Sequence, residues 1–157
     1  MPAQQTLLVL QKHDDSLAWY DPQTGKAIGG TAKVGHIPHE FVVSPDQQRA
    51  YVTNYGVDSY DSSEAGGNTL SVIDLQQHRT IREFDLGEYH RPHGITIGNS
   101  GRLYVTCDLP PRVLVVDASK GTILHAADVK AKGATHGCGF RRRRDLAQDW
   151  LQDPRPL

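Results

Sequence analysis

Short runs of alternating apolar and polar residues fill the chain from about residue 6 to residue 140, and no apolar stripe recurs at helical spacing. The runs are rich in β-branched residues and are separated by turn residues, such as Ser44-Pro-Asp46 and Asn99-Ser-Gly101. Near the middle of the chain four such runs follow one another, at 40–43, 50–54, 69–74 and 80–86. This pattern predicts β-strands joined by tight turns, and therefore an all-β fold.

The pattern also repeats along the chain. His36-Ile-Pro-His39 followed by Tyr51-Val-Thr-Asn54 matches His90-Arg-Pro-His93 followed by Tyr104-Val-Thr-Cys107. Each copy also carries a turn between its first two runs and two further runs after the tyrosine segment. Internal similarity of this kind indicates a repeat architecture in which each copy is one small antiparallel sheet.

The spacing of the copies identifies the architecture. A separation of 54 residues lies between His39 and His93, and 43 residues lie between His93 and His136, where a third copy begins and stops matching after Phe140. The smaller spacing is that of a propeller blade. The sequence therefore predicts a partial β-propeller of about three four-stranded antiparallel blades within residues 1–140, with blade boundaries near residues 35, 89 and 132.

Two departures from the repeat are expected to matter. Residues 6–34 supply only the three outer strands of the first blade, so its innermost strand is absent. In the next copy 23 positions separate Tyr51 from Asp74, whereas 13 separate Tyr104 from Asp117 in the following one. The extra residues form an inserted loop (58–67) whose sequence is typical of a surface loop.

The order of the motifs resembles the YVTN-repeat β-propeller family, of which YncE-like proteins are members. Pro-His-Glu or Pro-His-Gly is followed by a Ser-Pro-Asp turn, by Tyr51-Val-Thr-Asn54 and by Ser71-Val-Ile-Asp74, and the match extends over about residues 6–140. The resemblance implies a larger propeller, with about twice the material present here, so we expect the chain to be a truncated member. Because related propellers include lactonases and lyases as well as proteins without an assigned reaction, the resemblance implies a fold rather than one function.

The repeat breaks in the middle of a blade. After Phe140 the chain continues with Arg141-Arg-Arg-Arg144 and a segment that matches nothing before it. We expect residues 141–157 to be a disordered or non-native tail, as in a frameshifted product. The alternative is an arginine patch that binds phosphate.

Strand parity predicts that one end of the propeller channel, here called the channel mouth, collects histidines. The innermost strand of each blade begins at this end, and the loop between the second and third strands returns to it. The concave end of a propeller is where ligands usually bind. The predicted ligand-binding mouth therefore contains the inserted loop and five histidines: His36, His39, His90, His93 and His136.

These histidines support two interpretations. Imidazole is the commonest ligand of divalent zinc, copper and nickel, so His39, His93 and His136 are a candidate metal site for a divalent ion. A histidine that recurs once per blade is equally expected if its ring bonds a backbone group of the neighbouring blade. Both interpretations stay open at the level of sequence.

Carboxylates near the mouth are the other candidates for chemistry. Asp58, Asp61 and Glu64 lie in the inserted loop and either orient a histidine, bind a cation, act as general acid or base, or are ordinary surface residues. Glu40 occupies a position that is glycine in the other two copies, so His39 and Glu40 are the candidate catalytic pair.

Net charge, hydropathy and the absence of common motifs exclude several classes of function. Seventeen Lys and Arg against eighteen Asp and Glu give a formal net charge of −1, so no basic field favours nucleic acid, and no apolar run is long enough to span a membrane. Without a signal-peptide pattern we expect a cytoplasmic protein with two free thiols, Cys107 and Cys138, while the family resemblance leaves open whether relatives are exported. Motifs such as G-x-S-x-G, H-E-x-x-H, the P-loop and CxxC are absent from the sequence.

The sequence therefore predicts a scaffold that binds a small molecule or a protein, as part of a larger propeller. The alternative is a metal-assisted enzyme of the lactonase or lyase type that uses the histidines of the mouth, so whether the chain is an enzyme stays open. Open strand edges at both ends of a partial propeller also predict self-association, in the form of a homo-oligomer that exchanges an innermost strand.

Overall fold

The computed structural model describes residues 5–130 and 135–140. Within them the chain forms eleven β-strands and no helix. Blade 1 contains β1 (Leu7–Gln11), β2 (Ser16–Tyr20) and β3 (Ala27–Lys33); blade 2 contains β4 (Pro38–Val43), β5 (Arg49–Asn54), β6 (Thr69–Asp74) and β7 (Arg79–Asp85). Blade 3 contains β8 (His90–Ile97), β9 (Arg102–Leu109), β10 (Pro111–Asp117) and β11 (Ile123–Asp128).

The predicted all-β propeller fold is confirmed. Each blade is an antiparallel sheet in which the strands follow chain order, and blades 2 and 3 have four strands each. Blade 1 has three, as expected for a blade without its innermost strand. The strands β4 and β8 are the innermost strands of their blades and lie next to each other.

The third predicted innermost strand, near His136, has no strand assignment. Residues 135–140 nevertheless lie against blade 3, where the hydroxyl of Thr106 donates to the carbonyl of Thr135 at 3.1 Å and the Cys138 thiol lies 3.2 Å from the carbonyl of Tyr104. The predicted boundary near residue 132 and the tail 141–157 lie outside the described residues.

Two apolar cores hold neighbouring blades together. The core between blades 1 and 2 includes Leu17, Trp19 and Val52, and the core between blades 2 and 3 includes Leu70 and Val105, all at most 4% exposed. The alternation in each strand places these residues between the sheets, while several polar residues of the same strands, such as Thr53 and Ser71, are buried as well. Packing between faces of adjacent blades is therefore the main source of cohesion.

The threonine of the Tyr-Val-Thr segment connects each blade to the next. The hydroxyl of Thr53 accepts from the backbone N–H of Glu40 and donates to the carbonyl of His93, at 2.9 Å in both cases. Thr106 repeats this arrangement with the N–H of Gly94 at 2.9 Å and with the start of the next innermost segment. One buried hydroxyl thus joins two consecutive innermost strands, which explains why the residue recurs.

Two expectations about the chain as a whole can be compared with the structure. Both cysteines are free, as predicted. Across the described part of the chain there is no helix that is long and apolar enough to cross a membrane.

Candidate functional site

Three of the five predicted histidines form one cluster at the channel mouth. The ring centroids of His39 and His93 are 4.0 Å apart, and those of His93 and His136 are 4.3 Å apart. The His93 ring lies between the other two and is 3% exposed, whereas His136 is exposed. Each ring comes from the innermost segment of a different blade, as the repeat register predicts.

A buried carboxylate that the sequence analysis did not select organises this cluster. Asp108, at the end of β9, accepts from His93 Nδ1 at 3.1 Å and from the Tyr55 hydroxyl at 2.8 Å. It also accepts from the backbone N–H of Thr135 at 2.7 Å and from its hydroxyl at 3.0 Å. Burial alone raises the pKa of this carboxyl, but the hydrogen bonds from His93, Thr135 and Tyr55 outweigh burial and lower the pKa from 3.8 to about 2. Asp108 is therefore a fixed negative charge.

This charge determines the tautomer of His93. An ionised carboxylate only accepts hydrogen bonds, so the proton of the neutral imidazole must be on Nδ1, and Nε2 must carry the lone pair. Nε2 of His93 is buried and has no hydrogen-bond partner among the described residues, and neither has Nδ1 of His39. Two nitrogen atoms in adjacent rings thus lack a hydrogen-bond partner in the part of the chain that the structure describes.

The environment of His39 favours its neutral form. Burial, together with repulsion from Lys12 and from His93 and His136 whenever those rings are protonated, lowers the pKa of His39 from 6.5 to about 4. His39 is therefore neutral at pH 7. The negative charge of Asp108 is consequently not cancelled by His39.

Tyr55 provides the aromatic wall of the mouth. Its ring centroid is 5.1 Å from that of His93 and 5.3 Å from that of His39. Burial and the hydrogen bond to Asp108 raise its pKa from 10.0 to about 12, so the hydroxyl remains a donor. Tyr55 and Asp108 occupy the same repeat position, one residue after Asn54 and after Cys107. The sequence shows only that the two copies differ at this position. The contact between blades 2 and 3 shows that the two different residues are bonded to each other.

The other two predicted histidines of the mouth have structural partners. Nδ1 of His36 lies 3.1 Å from a carboxylate oxygen of Asp15, and its side chain is 71% exposed. His90 Nδ1 donates to the carbonyl of Gly66 at 3.1 Å and so holds the end of the inserted loop. Among the described residues neither histidine is bonded to the ring cluster, and the bond of His90 to a backbone carbonyl of blade 2 fits the interpretation of a repeat-encoded structural histidine.

The acids of the inserted loop lie around the mouth and do not contact the rings. Asp58 faces blade 1, where its carboxylate is 4.0 Å from Lys12 Nζ and 3.6 Å from His13 Nδ1. Asp61 accepts from the Ser59 hydroxyl within the loop. Glu64 is exposed, and its backbone carbonyl accepts from an arginine of blade 3. Any role of these carboxylates in ligand binding stays a prediction.

Glu40 and His39 are neighbours in sequence whose contacts differ. The pairing of β4 with β5 shifts register between Pro38 and Phe41, so strict alternation does not hold at His39 and Glu40, and both side chains reach β8. A carboxylate oxygen of Glu40 lies 3.4 Å from the backbone nitrogen of Ile95 on β8, whereas the His39 ring contacts Tyr55 and His93. The structure gives this candidate catalytic pair no shared contact.

The geometry of the three rings bears on the predicted metal site. Imidazoles that converge on one tetrahedral zinc ion through bonds of about 2.0–2.1 Å have centroids about 5 Å apart. Here the rings pack against each other at 4.0 and 4.3 Å. Within residues 5–130 and 135–140, no group of three or more His, Cys, Asp or Glu is arranged to hold a metal ion. In this arrangement a metal would require the rings to turn.

Comparisons with known proteins support the fold. No family model matches the sequence, and no curated protein matches it. Hydrazine synthase of Kuenenia stuttgartiensis is similar in structure, with a TM-score of 0.67 and 25% identity over 82% of this chain and 34% of that chain. Dihydro-heme d1 dehydrogenase NirN, in complex with DHE, is similar with a TM-score of 0.62 and 15% identity over 86% of this chain and 28% of that one. Both are β-propeller proteins, and this chain spans about a third of the length of each.

Proposed function

We propose that the protein is a ligand-binding β-propeller scaffold, and that its binding site is the channel mouth between blades 2 and 3. The observation that carries this proposal is the buried Nε2 atom of His93, which has no partner in the described residues while Nδ1 is bonded to Asp108. A buried polar atom without a partner costs about 1–3 kcal/mol, so such an atom is expected to have a ligand or a water molecule as its natural partner.

The chemistry of the mouth favours a ligand that donates hydrogen bonds. The lone pair of His93 Nε2 accepts an O–H or N–H, and the ring faces of Tyr55 and His39 supply an aromatic surface for the rest of the molecule. Because Asp108 is ionised and His39 is neutral at pH 7, a neutral or cationic molecule is favoured over an anion. The best-fitting class is a small alcohol, sugar or amine.

The larger context of this site is part of the proposal. The YVTN-type resemblance and the length of the structural neighbours support a chain that forms part of a larger propeller. In such a larger propeller, the channel mouth formed by these three blades would be one part of the ring of blades around the channel. A protein partner that inserts a donor side chain into the same sector would use the same chemistry.

A second candidate function is catalysis of the lactonase or lyase type. The Asp108–His93 pair favours it, because a carboxylate that fixes the tautomer of a histidine prepares the other nitrogen to accept a proton. In the version that uses a metal, His39, His93 and His136 would hold a divalent ion once the rings had turned, and the ion would polarise a carbonyl group.

The proposal is tested by the side-chain ¹⁵N signals of His93 during titration with glycerol, glucose, methylammonium and acetate. The first three probes are expected to shift the Nε2 signal in a saturable manner, and acetate is expected to leave it unchanged. His93→Asn removes the Nε2 position and keeps a donor close to the position of Nδ1, so binding, followed in this variant through the side-chain ¹⁵N signals of His39, should be lost. The matched control is His78→Phe, because His78 stacks on Trp19 with centroids 4.1 Å apart, away from the mouth.

Two outcomes would overturn the proposal. One is a His93 signal that responds to none of the donor probes, and the other is equal binding by wild type and His93→Asn. Zn²⁺ and γ-butyrolactone serve the second candidate: tight Zn²⁺ binding that His93→Asn abolishes, together with opening of the lactone, would support catalysis. Zn²⁺ binding that His93→Asn leaves intact would exclude this metal site.

A further inference from the structure

Arg91 is a buried arginine whose guanidinium holds the inserted loop. One terminal nitrogen donates to the carbonyl of Tyr60 at 2.8 Å, and the other donates to the carbonyls of Ser62 and Glu64 at 2.6 and 2.5 Å. Arg91 is 8% exposed, and within the described residues no carboxylate forms an ion pair with it. Its charge is therefore compensated by backbone dipoles of one loop, in an arrangement that suits the rigid donor fork of arginine.

Arg91 belongs to the blade that faces the inserted loop, and the preceding copy has a different residue at this position. Its equivalent in the preceding copy is Ile37, and both residues have left-handed backbones, with φ of 54° and 47°. The backbone N–H of Ile37 binds the Asp15 carboxylate at the short turn of blade 1, whereas the N–H of Arg91 binds the carbonyl of Gly67 at 2.6 Å. The backbone geometry is thus shared by both copies, and the guanidinium is specific to the blade that faces the inserted loop.

A continuous set of hydrogen bonds leads from this loop to the histidine cluster. The N–H of Gly67 donates to the carbonyl of Tyr55 at 2.8 Å, and the Tyr55 hydroxyl donates to Asp108 at 2.8 Å. The stem is tight: a Cβ atom on Gly66 would lie 2.7 Å from Cγ of Arg91 and 2.8 Å from the carbonyl oxygen of Tyr55. The loop, Arg91 and Tyr55 therefore have little freedom to move independently.

We propose that Arg91 is the positioning residue of the channel mouth: it fixes the inserted loop and, through Tyr55, the Asp108–His93 pair. The loop then sets which ligands reach the lone pair of His93. This specificity role rests on the proposed function, but the positioning itself is measurable without any ligand. Among the described residues of blade 1, the exposed Lys12 and His13 are the ones that bond to the loop, so Arg91 is its buried anchor.

The test compares Arg91→Lys with Arg82→Lys. Arg82 is an exposed arginine that donates to two backbone carbonyls, those of Ser119 and Lys120, at 3.0 and 2.9 Å, so it is a matched control away from the mouth. In Arg91→Lys we expect amide hydrogen exchange in the loop to become at least about tenfold faster, with a shift of the His93 side-chain ¹⁵N signals. In Arg82→Lys both should remain as in wild type.

Two further variants separate the anchoring of the loop by Arg91 from the positioning of His93 through Tyr55. Tyr55→Phe removes the hydroxyl bond to Asp108, so it should shift the His93 signals and leave loop exchange unchanged. In the Tyr55→Phe background, Arg91→Lys should accelerate loop exchange without a further shift of His93. If Arg91→Lys does not fold, Gly66→Ala provides a second way to displace the arginine and should produce the same two changes.

Unchanged loop exchange in Arg91→Lys or Gly66→Ala would overturn the proposal, as would a His93 shift of equal size with and without the Tyr55 hydroxyl. These results are independent of ligand binding. If the positioning measurements succeed and every ligand probe fails, the proposed function is wrong and the role of Arg91 stands. If the probes bind and loop exchange does not respond, only the role of Arg91 is wrong.

Discussion

Replacement of Asp108 by asparagine is the most informative perturbation of the mouth. The carboxylate receives four donors, and both side chains of the Asp108–His93 pair are nearly buried, at 7% and 3% exposure. Asparagine keeps one acceptor oxygen and replaces the other with an NH₂ group. That group must face either the two donors of Thr135 or those of Tyr55 and His93.

The magnitude follows from the pKa of Asp108. A shift from 3.8 to about 2 corresponds to about 2 kcal/mol of stability at pH 7 that the ionised carboxylate provides. Leaving a buried donor without an acceptor costs about 1–3 kcal/mol in addition, unless the donor finds another partner. His93 can reduce this cost by moving its proton to Nε2. We therefore expect Asp108→Asn to lose about 2–3 kcal/mol of unfolding free energy at pH 7.

The pH dependence of the stability difference between wild type and Asp108→Asn gives the sharper test. A group with a lowered pKa in the folded state stabilises the protein above its unfolded value, and this stabilisation is lost as the pH falls through the folded value. The difference between wild type and Asp108→Asn should therefore be constant above pH 5, and about half of the pKa-linked part should be gone at pH 3. Protonation of His39 occurs in both proteins, and Asp108 favours it in wild type because its charge raises the pKa of His39.

The assay is urea unfolding at pH 7, 5 and 3, with the His93 side-chain ¹⁵N spectrum recorded at pH 7. The control is Asp128→Asn, because Asp128 forms a surface ion pair with Arg112 and is 77% exposed, so its loss should cost less than about 1 kcal/mol. The reasoning is wrong if Asp108→Asn is as stable as Asp128→Asn at pH 7. It is also wrong if the loss is the same at pH 3 as at pH 7.

Three further predictions concern the fold and the cluster. Thr53→Val should cost about 2–4 kcal/mol in urea unfolding, because it leaves a buried N–H and a buried carbonyl without their shared hydroxyl; a cost under 1 kcal/mol would contradict this role. Gly121→Ala should lower the free energy of unfolding by about 1–3 kcal/mol more than Gly101→Ala does. Both glycines have positive φ, but only a Cβ atom on residue 121 would meet the Phe84 ring, at 2.2 Å. Equal losses in the two variants would refute this packing. In an NMR pH titration His39 should protonate near pH 4, so the free energy of unfolding should decrease as the pH falls from 6.5 to 4. A midpoint near 6.5 would show that the ring is not buried as described.

The sequence allowed the fold and one part of the site to be predicted, for a common physical reason. Repeated residues such as Thr53 and Thr106 perform the same bond at each junction between blades, so alignment of the copies reveals both the blade and its register. The same register predicts that His39, His93 and His136 come together. The strand boundaries agree to within about two residues, because turn residues mark them.

The rest of the site could not be predicted because it depends on contacts between different repeat positions. Asp108 lies near the end of β9 and resembles any other polar residue at a strand end. Its importance arises only when blade 2 places the hydroxyl of Tyr55 within 2.8 Å and the chain returns Thr135 to its other oxygen. Alignment compares equivalent positions and says nothing about which of them meet across a junction between blades.

Differences between the copies nevertheless carry functional information. A residue that blade packing requires is satisfied by the same side chain at every junction, as the threonines are. Packing alone gives no reason for Ile37 to become Arg91, or for Tyr55 to correspond to Asp108. Both differences lie at the junction of blades 2 and 3, where Arg91 binds the inserted loop, and Tyr55 and Asp108 are bonded to each other beside His93. An asymmetry that is confined to one junction of the described blades is what a single ligand site on a repeating structure requires, and it supports the proposed site over one at the junction of blades 1 and 2.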